Sequence, residues 1–166
     1  DSLNLGEAAS ICGYKEPKNF CKWLNGVWLE SVVLIALEQL KKEGIVDYIG
    51  MNLEPDIEGN NPTGFEFDVI AIRGYQLFAF SCSTDDIPGF LKLKLFESYV
   101  RTHQLGGDEA CVALVGCSED PLKLEHGMSR ALDNKKRIRV FGIEHFNELA
   151  THISTWILEQ SRGGKL

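Results

Sequence analysis

The sequence predicts an α/β fold of three layers, a central mixed sheet flanked by helices on both faces. Three observations carry this. Two strand-like runs, residues 65–72 and 75–83, flank Arg73-Gly74 as the arms of a hairpin. Two further short apolar runs, 110–115 and 138–141, each follow a helical segment, the spacing that parallel strands need. Long helical patterns begin and end on Pro, Asp and Gly signals.

In chain order, residues 1–25 are mixed, with Gly6, Gly13 and Pro17, and read as an irregular lead-in holding one short helix. Residues 26–42 read as a helix that stops before Gly44. It is apolar almost all round from Val27 to Leu37, so neighbours must bury it. A strand follows at 45–53 and a polar loop at 55–63. After the hairpin, residues 87–103 form a helix behind Asp85-Asp86, with Pro88 in its first turn and Gly106-Gly107 at its end. Residues 110–115 are a buried strand, 121–132 a helix, 138–141 a strand and 143–160 a final amphipathic helix. The expected organisation is a lead-in, 1–25, which is the end of a preceding domain; one domain, 26–162; and a flexible tail, 163–166.

Hydrophobic residues make up 44% and charged residues 25%, which excludes a disordered chain. The net charge of −7 excludes an indiscriminate basic coat for nucleic acid, but not a metal-dependent enzyme with an acidic site. The five cysteines, Cys12, Cys21, Cys82, Cys111 and Cys117, are odd in number and contain no CxxC, which argues against a zinc site or disulfide framework. Cys82 and Cys111 read as small core hydrophobes, and a reducing cytoplasm is expected. The start lacks signal-peptide features and an initiator Met, so a fragment of a longer chain is expected. No apolar run is expected to cross a membrane, because Glu38 interrupts the longest, 32–37.

Candidate chemistry starts on the hairpin. Strand side chains alternate between faces, so Glu66 and Asp68 share one face. A two-residue turn at Arg73-Gly74 sets Asp68 opposite Ala79 and Glu66 opposite Ser81, clustering Glu66, Asp68, Ser81 and Ser83. Paired carboxylates attract a hard cation such as Mg²⁺ or Mn²⁺, although polar-out alternation is also ordinary in a solvated face. Glu30 shares a helix stripe with Val33, Leu34 and Leu37. It must be paired or metal-bound there, or else it sits at the helix start where the macrodipole favours an acid. Lys94 and Glu97 are spaced as a helical ion pair.

These residues form an ordered set: Gly26-Val27-Trp28-Leu29-Glu30, Phe65-Glu66-Phe67-Asp68-Val69, Phe80-Ser81-Cys82-Ser83-Thr84, a helix with Lys92 and Lys94, Leu105-Gly106-Gly107, and Ala113-Leu114-Val115. Over about residues 20–117 the set resembles the restriction-endonuclease-like PD-(D/E)XK nuclease domain of CRISPR-associated antiviral-defence proteins with an N-terminal CARF sensor. The resemblance implies a restriction-endonuclease-like three-layer fold and metal-dependent phosphodiester hydrolysis of DNA or RNA. It implies a sensor domain activated by cyclic oligoadenylate, and a homodimer. The helix Glu of the family falls on Glu30 and the E-x-D strand motif on Glu66 and Asp68, which would hold Mg²⁺ or Mn²⁺.

The family's E-C-K-T segment is Ser81-Cys82-Ser83-Thr84 here, so serines replace the motif acid and lysine. Three readings follow: a working site in which Glu66 supplies the acid and Lys94, or Lys92, the positive charge; a degenerate nuclease kept for binding or dimerisation; or a form whose lysine has been replaced to trap it inactive. Phosphate-tracking candidates are Lys92, Lys94, Arg101 and the run Lys135-Lys136-Arg137 with Arg139, although such runs are usually solvated surface. His145 and His152 share a helix face without ligand spacing to other groups. Cys82 has no histidine partner that would make it a nucleophile. Trp28 and Trp156 read as core.

Overall fold

A computed structural model describes residues 4–55, 65–132 and 137–162. Five strands form one sheet in the order β1-β2-β3-β4-β5. They are β1 (Tyr48–Leu53), β2 (Phe67–Arg73), β3 (Gln76–Ser83), β4 (Cys111–Gly116) and β5 (Ile138–Phe141). β1, β2 and β3 are antiparallel neighbours, while β3, β4 and β5 run parallel. The predicted α/β class, with a mixed sheet between helices, is therefore what the chain adopts. β4 is buried at every position and β3 at all but its ends, as strands covered on both faces must be.

The described residues form six α-helices: α1 (Leu5–Ile11), α2 (Pro17–Lys22), α3 (Trp28–Lys42), α4 (Pro88–Gly106), α5 (Pro121–Ala131) and α6 (Leu149–Arg162). α3 turns Leu29, Val33, Ala36, Leu37 and Leu40 inward at helical spacing. With Ile153, Trp156 and Ile157 of α6 they cover one face of the sheet. α4 and α5 cover the other, through Leu91, Leu95 and Met128 against Val112, Leu114 and Val140. Asp120 caps α5 by accepting from the Lys123 N–H at 3.0 Å.

Several local expectations change. The hairpin turn is Gly74-Tyr75, not Arg73-Gly74, because Arg73 still pairs with Gln76. Arg73 is held in β2 by donating to the Ile45 carbonyl, and Gly74 takes the positive φ of 58° at no steric cost. The register therefore slides by two. Ala79 faces Ile70, and its continuation sets Ser81 rather than Ala79 across from Asp68, and Ser83 rather than Ser81 across from Glu66. A slip of two leaves every side chain on its predicted face, whereas a slip of one would have inverted them.

The lead-in holds two helices instead of one. α1 opens with a capping box between Asn4 and Glu7. α2 joins α3 through a wide five-residue turn, Trp23–Val27, kinked at Gly26 (φ 151°, ψ −27°). Pro17–Lys42 forms a 26-residue helical stretch only across the kink at Gly26, and its most apolar 18-residue window has a mean hydropathy of 1.4. The apolarity of its α3 half serves the sheet-facing core. The last helical segment is split, with a 3₁₀ turn at Ile143–Glu148 before α6. The expected tail, 163–166, and most of the loop at 55–63 lie outside the described residues.

Trp156 is the largest fully buried side chain and meets Phe78, Phe80 and Phe141 edge-on at 5.5–6.0 Å. Trp156→Ala is expected to cost about 3–5 kcal/mol, read as a lower urea midpoint at unchanged m-value. A midpoint within error of wild type would show that this cluster does not hold the two layers together.

Candidate functional site

The site begins where β2 and β3 part. Their last ladder pair is Val69 with Phe80. Beyond it the peptide groups of Cys82 need other partners, because buried backbone donors and acceptors do not stay unpaired without cost. Asp68 supplies one: its Oδ2 accepts from the Cys82 N–H at 2.6 Å and from the Ser81 hydroxyl at 3.4 Å. Lys94 of α4 supplies the other, donating to the Cys82 carbonyl while its Nζ lies 3.2 Å from Asp68 Oδ2. Oδ1 of Asp68 has no hydrogen-bond partner among the described residues. Asp68 is thus fixed in direction with one oxygen left for another ligand.

Glu30 approaches from the first turn of α3. Burial pushes its pKa up, and the charges of Asp68 and Glu66 add to that, while Lys94 and Lys22 oppose it. Glu30 does lie in the first turn of α3, after the kink at Gly26, so the helix-start reading stands beside the paired or metal-bound one. Burial and the nearby Asp68 also push the Cys82 thiol well up, so it is a protonated core group, as expected of a non-nucleophile.

Glu30, Glu66 and Asp68 line one cleft of about 290 Å³, together with Tyr14, Asn19, Lys22, Trp23, Val27, Met51 and Asn52. Glu66 and Asp68 also border a smaller hollow of about 60 Å³ on the α4 side, with Ser81, Lys94 and Glu97. The structure therefore brings together Glu30, Glu66, Asp68, Ser81 and Lys94. It does not bring Ser83, whose Oγ accepts from the Asp85 N–H at 3.2 Å and closes the turn before α4. Lys92 is exposed and lines neither space. Lys94 pairs with Asp68 rather than with Glu97.

The basic run offers little to a phosphate backbone. Arg137 pairs with Glu109 at 2.6 Å, and Arg139 lies between Glu125 and Glu159. Lys135 and Lys136 lie outside the described residues. Arg101 rests over the Phe65 ring at 5.6 Å. The His145 and His152 rings meet edge-on at 4.8 Å, and His145 Nδ1 accepts from the Gly142 N–H, so that pair is a packing contact.

The donors can be judged against a divalent cation. Among the described residues no three His, Cys, Asp or Glu side chains are grouped closely enough to hold one unaided. Mg²⁺ does not require such a cage; it keeps several waters and binds through one or two carboxylates plus substrate phosphates. Asp68 Oδ1 and Glu30 fit that mode, since a cation would offset both the burial and the neighbouring carboxylates that raise the Glu30 pKa.

Sequence reasoning missed Tyr14, Asn19, Lys22, Trp23 and Asn52. Four of them belong to the segment read as lead-in, where no periodic pattern marked a wall. Asn52 carried one weak signal, an Asn in the middle of a strand. Its φ of 54° makes it the only non-glycine residue with positive φ among the described residues.

A carboxyl whose pKa is raised on folding loses stability as pH climbs from the ordinary carboxylate range through the raised value. Glu30→Gln should therefore melt above wild type at pH 7, and the gap should close when the pH falls below that range. Melting curves across pH check this; a variant that melts lower than wild type at pH 7 refutes it.

Comparison with known proteins adds no assignment: no protein-family model matches this chain, and no curated protein is significantly similar to it.

Proposed function

We propose that this chain is a restriction-endonuclease-like, metal-dependent nuclease that hydrolyses phosphodiester bonds in DNA or RNA. The observation that carries the reading is Lys94, whose ammonium lies 3.2 Å from the Asp68 carboxylate at the opened edge of the sheet. The strand motif offers only Ser81 and Ser83 where the resembled family has an acid and a lysine. A cation delivered from α4 to the same carboxylate supports a rearranged site. In the same proposal the chain is the cytoplasmic effector domain of a sensor-coupled protein.

Asp68 and Glu30, with Glu66 at the cleft edge, would hold Mg²⁺ or Mn²⁺. The ion supplies a water of lowered pKa and a polarised phosphoryl oxygen. The chain's own groups do the rest. The Cys82 N–H and Ser81 hydroxyl hold Asp68 Oδ2, so Oδ1 keeps one direction. Lys94 stands where it can donate to a phosphate oxygen as negative charge builds there. Its side chain is 40% exposed, so it can leave the Cys82 carbonyl for a substrate oxygen without crossing the core. Glu30, whose pKa is raised mainly by burial, holds a proton more readily than an ordinary carboxylate.

The second reading is a non-catalytic binding or dimerisation module. The serines at both the acid and the lysine positions of the motif favour it.

The deciding experiment incubates plasmid, single-stranded DNA and RNA with Mg²⁺ or Mn²⁺, alongside calorimetric titration of the same ions. Wild type is expected to cleave. Asp68→Ala should lose both ion binding and cleavage, and Lys94→Ala should bind the ion but cleave about 10²–10³-fold more slowly. Absence of ion binding and of cleavage in the wild-type chain would remove the nuclease reading in favour of the module.

A further inference from the structure

The cleft beside Asp68 has two unlike walls. One is the acidic sheet edge with Glu66 and Asp68. The other, built by α2, the wide turn and the residue Tyr14 before them, carries Tyr14, Asn19, Lys22 and Trp23, with Glu30 of α3 following at the end of the turn. Phe20 is buried behind it, its ring plane 10° from that of Trp23 at 6.3 Å between centroids. Tyr14 meets both rings, at 5.5 Å from Phe20 and 6.4 Å from Trp23. Trp23 is thus fixed from behind while remaining 37% exposed. A rigid indole facing a cleft loses little entropy when a flat ligand stacks on it.

The polar groups around this ring are of a particular kind. Asn19 and Asn52 bring two carboxamides, each with donors and an acceptor. Asn52 reaches the cleft from a left-handed backbone that breaks the β1 ladder between Met51 and Leu53, which pair with Val69 and Phe67. Asn is among the non-glycine residues that adopt such a φ most readily. Lys22 adds one cation at the rim. An aromatic face, carboxamides able to meet ring edges and a single lysine suit a planar heterocycle attached to a phosphate.

We propose that the Tyr14–Trp23 wall is a nucleobase subsite. One base stacks on Trp23, its edge meets Asn19 or Asn52, and its phosphate lies toward Lys22 and the Asp68 edge. A base can present its face only when it is out of the duplex stack, so the strand at this position is unpaired. The inference rests on the nuclease reading and adds which residues read the substrate.

The test uses the full chain carrying Asp68→Asn, so that bound strands are not consumed. Labelled oligothymidylate, an abasic strand of the same length and charge, and a duplex are titrated by fluorescence anisotropy in Mg²⁺. Oligothymidylate is expected to bind about tenfold or more tightly than the abasic strand, and the duplex to gain nothing over the abasic strand. Trp23→Leu, which fills the space but cannot stack, should erase that ratio while leaving abasic binding unchanged, and Trp23→Phe should restore most of it. Melting curves accompany each variant; if Trp23→Leu does not fold, loss of the ratio in Asn19→Ala with Asn52→Ala decides in its place. Equal binding of the base-bearing and abasic strands, or a ratio that survives these substitutions, overturns the subsite. If wild type still cleaves, the nuclease reading stands without it. No binding of any strand and no cleavage defeats both.

Discussion

The peptide of Cys82 is the constraint on which the site depends. β3 must stay paired to β4 there, since Cys82 and Val115 are partners, while β2 has already turned away. An N–H and a carbonyl are left on the side that β2 vacates, and both are met by charged side chains, Asp68 and Lys94. Hydrogen bonds to charged groups contribute about 1.5–3 kcal/mol each, more than the ion pair does with Lys94 partly in solvent. Asp68 and Lys94 are therefore held together mainly by what each does for the backbone. Their 3.2 Å approach is the by-product.

That arrangement leaves charge unbalanced. Glu30, Glu66 and Asp68 face Lys22 and Lys94 across the cleft region, and Glu30 bears the cost as a raised pKa. Half-buried like charges are relieved by a proton or by a cation, and the two alternatives compete.

The sheet and its helices were legible because their signals are local and repeated. Strand alternation placed Glu66, Asp68 and Ser81 on one face, and an error of two residues in the turn could not undo it. Asp68 was legible for the same reason. Its engagement with Cys82 was not, because that contact exists only where two strands diverge, and divergence leaves no periodic trace. Ser83 looked equivalent to Ser81 by parity, yet it is spent on the turn to α4. Lys94 could be singled out only as one of two lysines on a helix; which one reaches the strand depends on how α4 crosses the sheet. The aromatic wall was the least legible, since Tyr14, Phe20 and Trp23 lie in irregular sequence and meet only after the chain doubles back.

The wall's position in turn depends on a single backbone angle. α2 and α3 would run straight on as one rod if the turn between them were helical throughout, and Gly26 at φ 151° breaks that line. A side chain at such an angle is strained whatever space surrounds it, so the bend needs glycine. The Thr84 hydroxyl then ties the Asn25 carbonyl to the segment after β3, close in sequence to Ser81 and Cys82. Both walls of the cleft are thus referenced to the end of one strand, the acidic wall through Asp68 on the Cys82 N–H and the aromatic wall through Asn25 on Thr84. A cleft whose two sides are fixed to the same few residues keeps its width even though its parts come from separate regions of the chain. For side chains that must keep a fixed distance from one another, a common anchor matters more than the strength of any single contact.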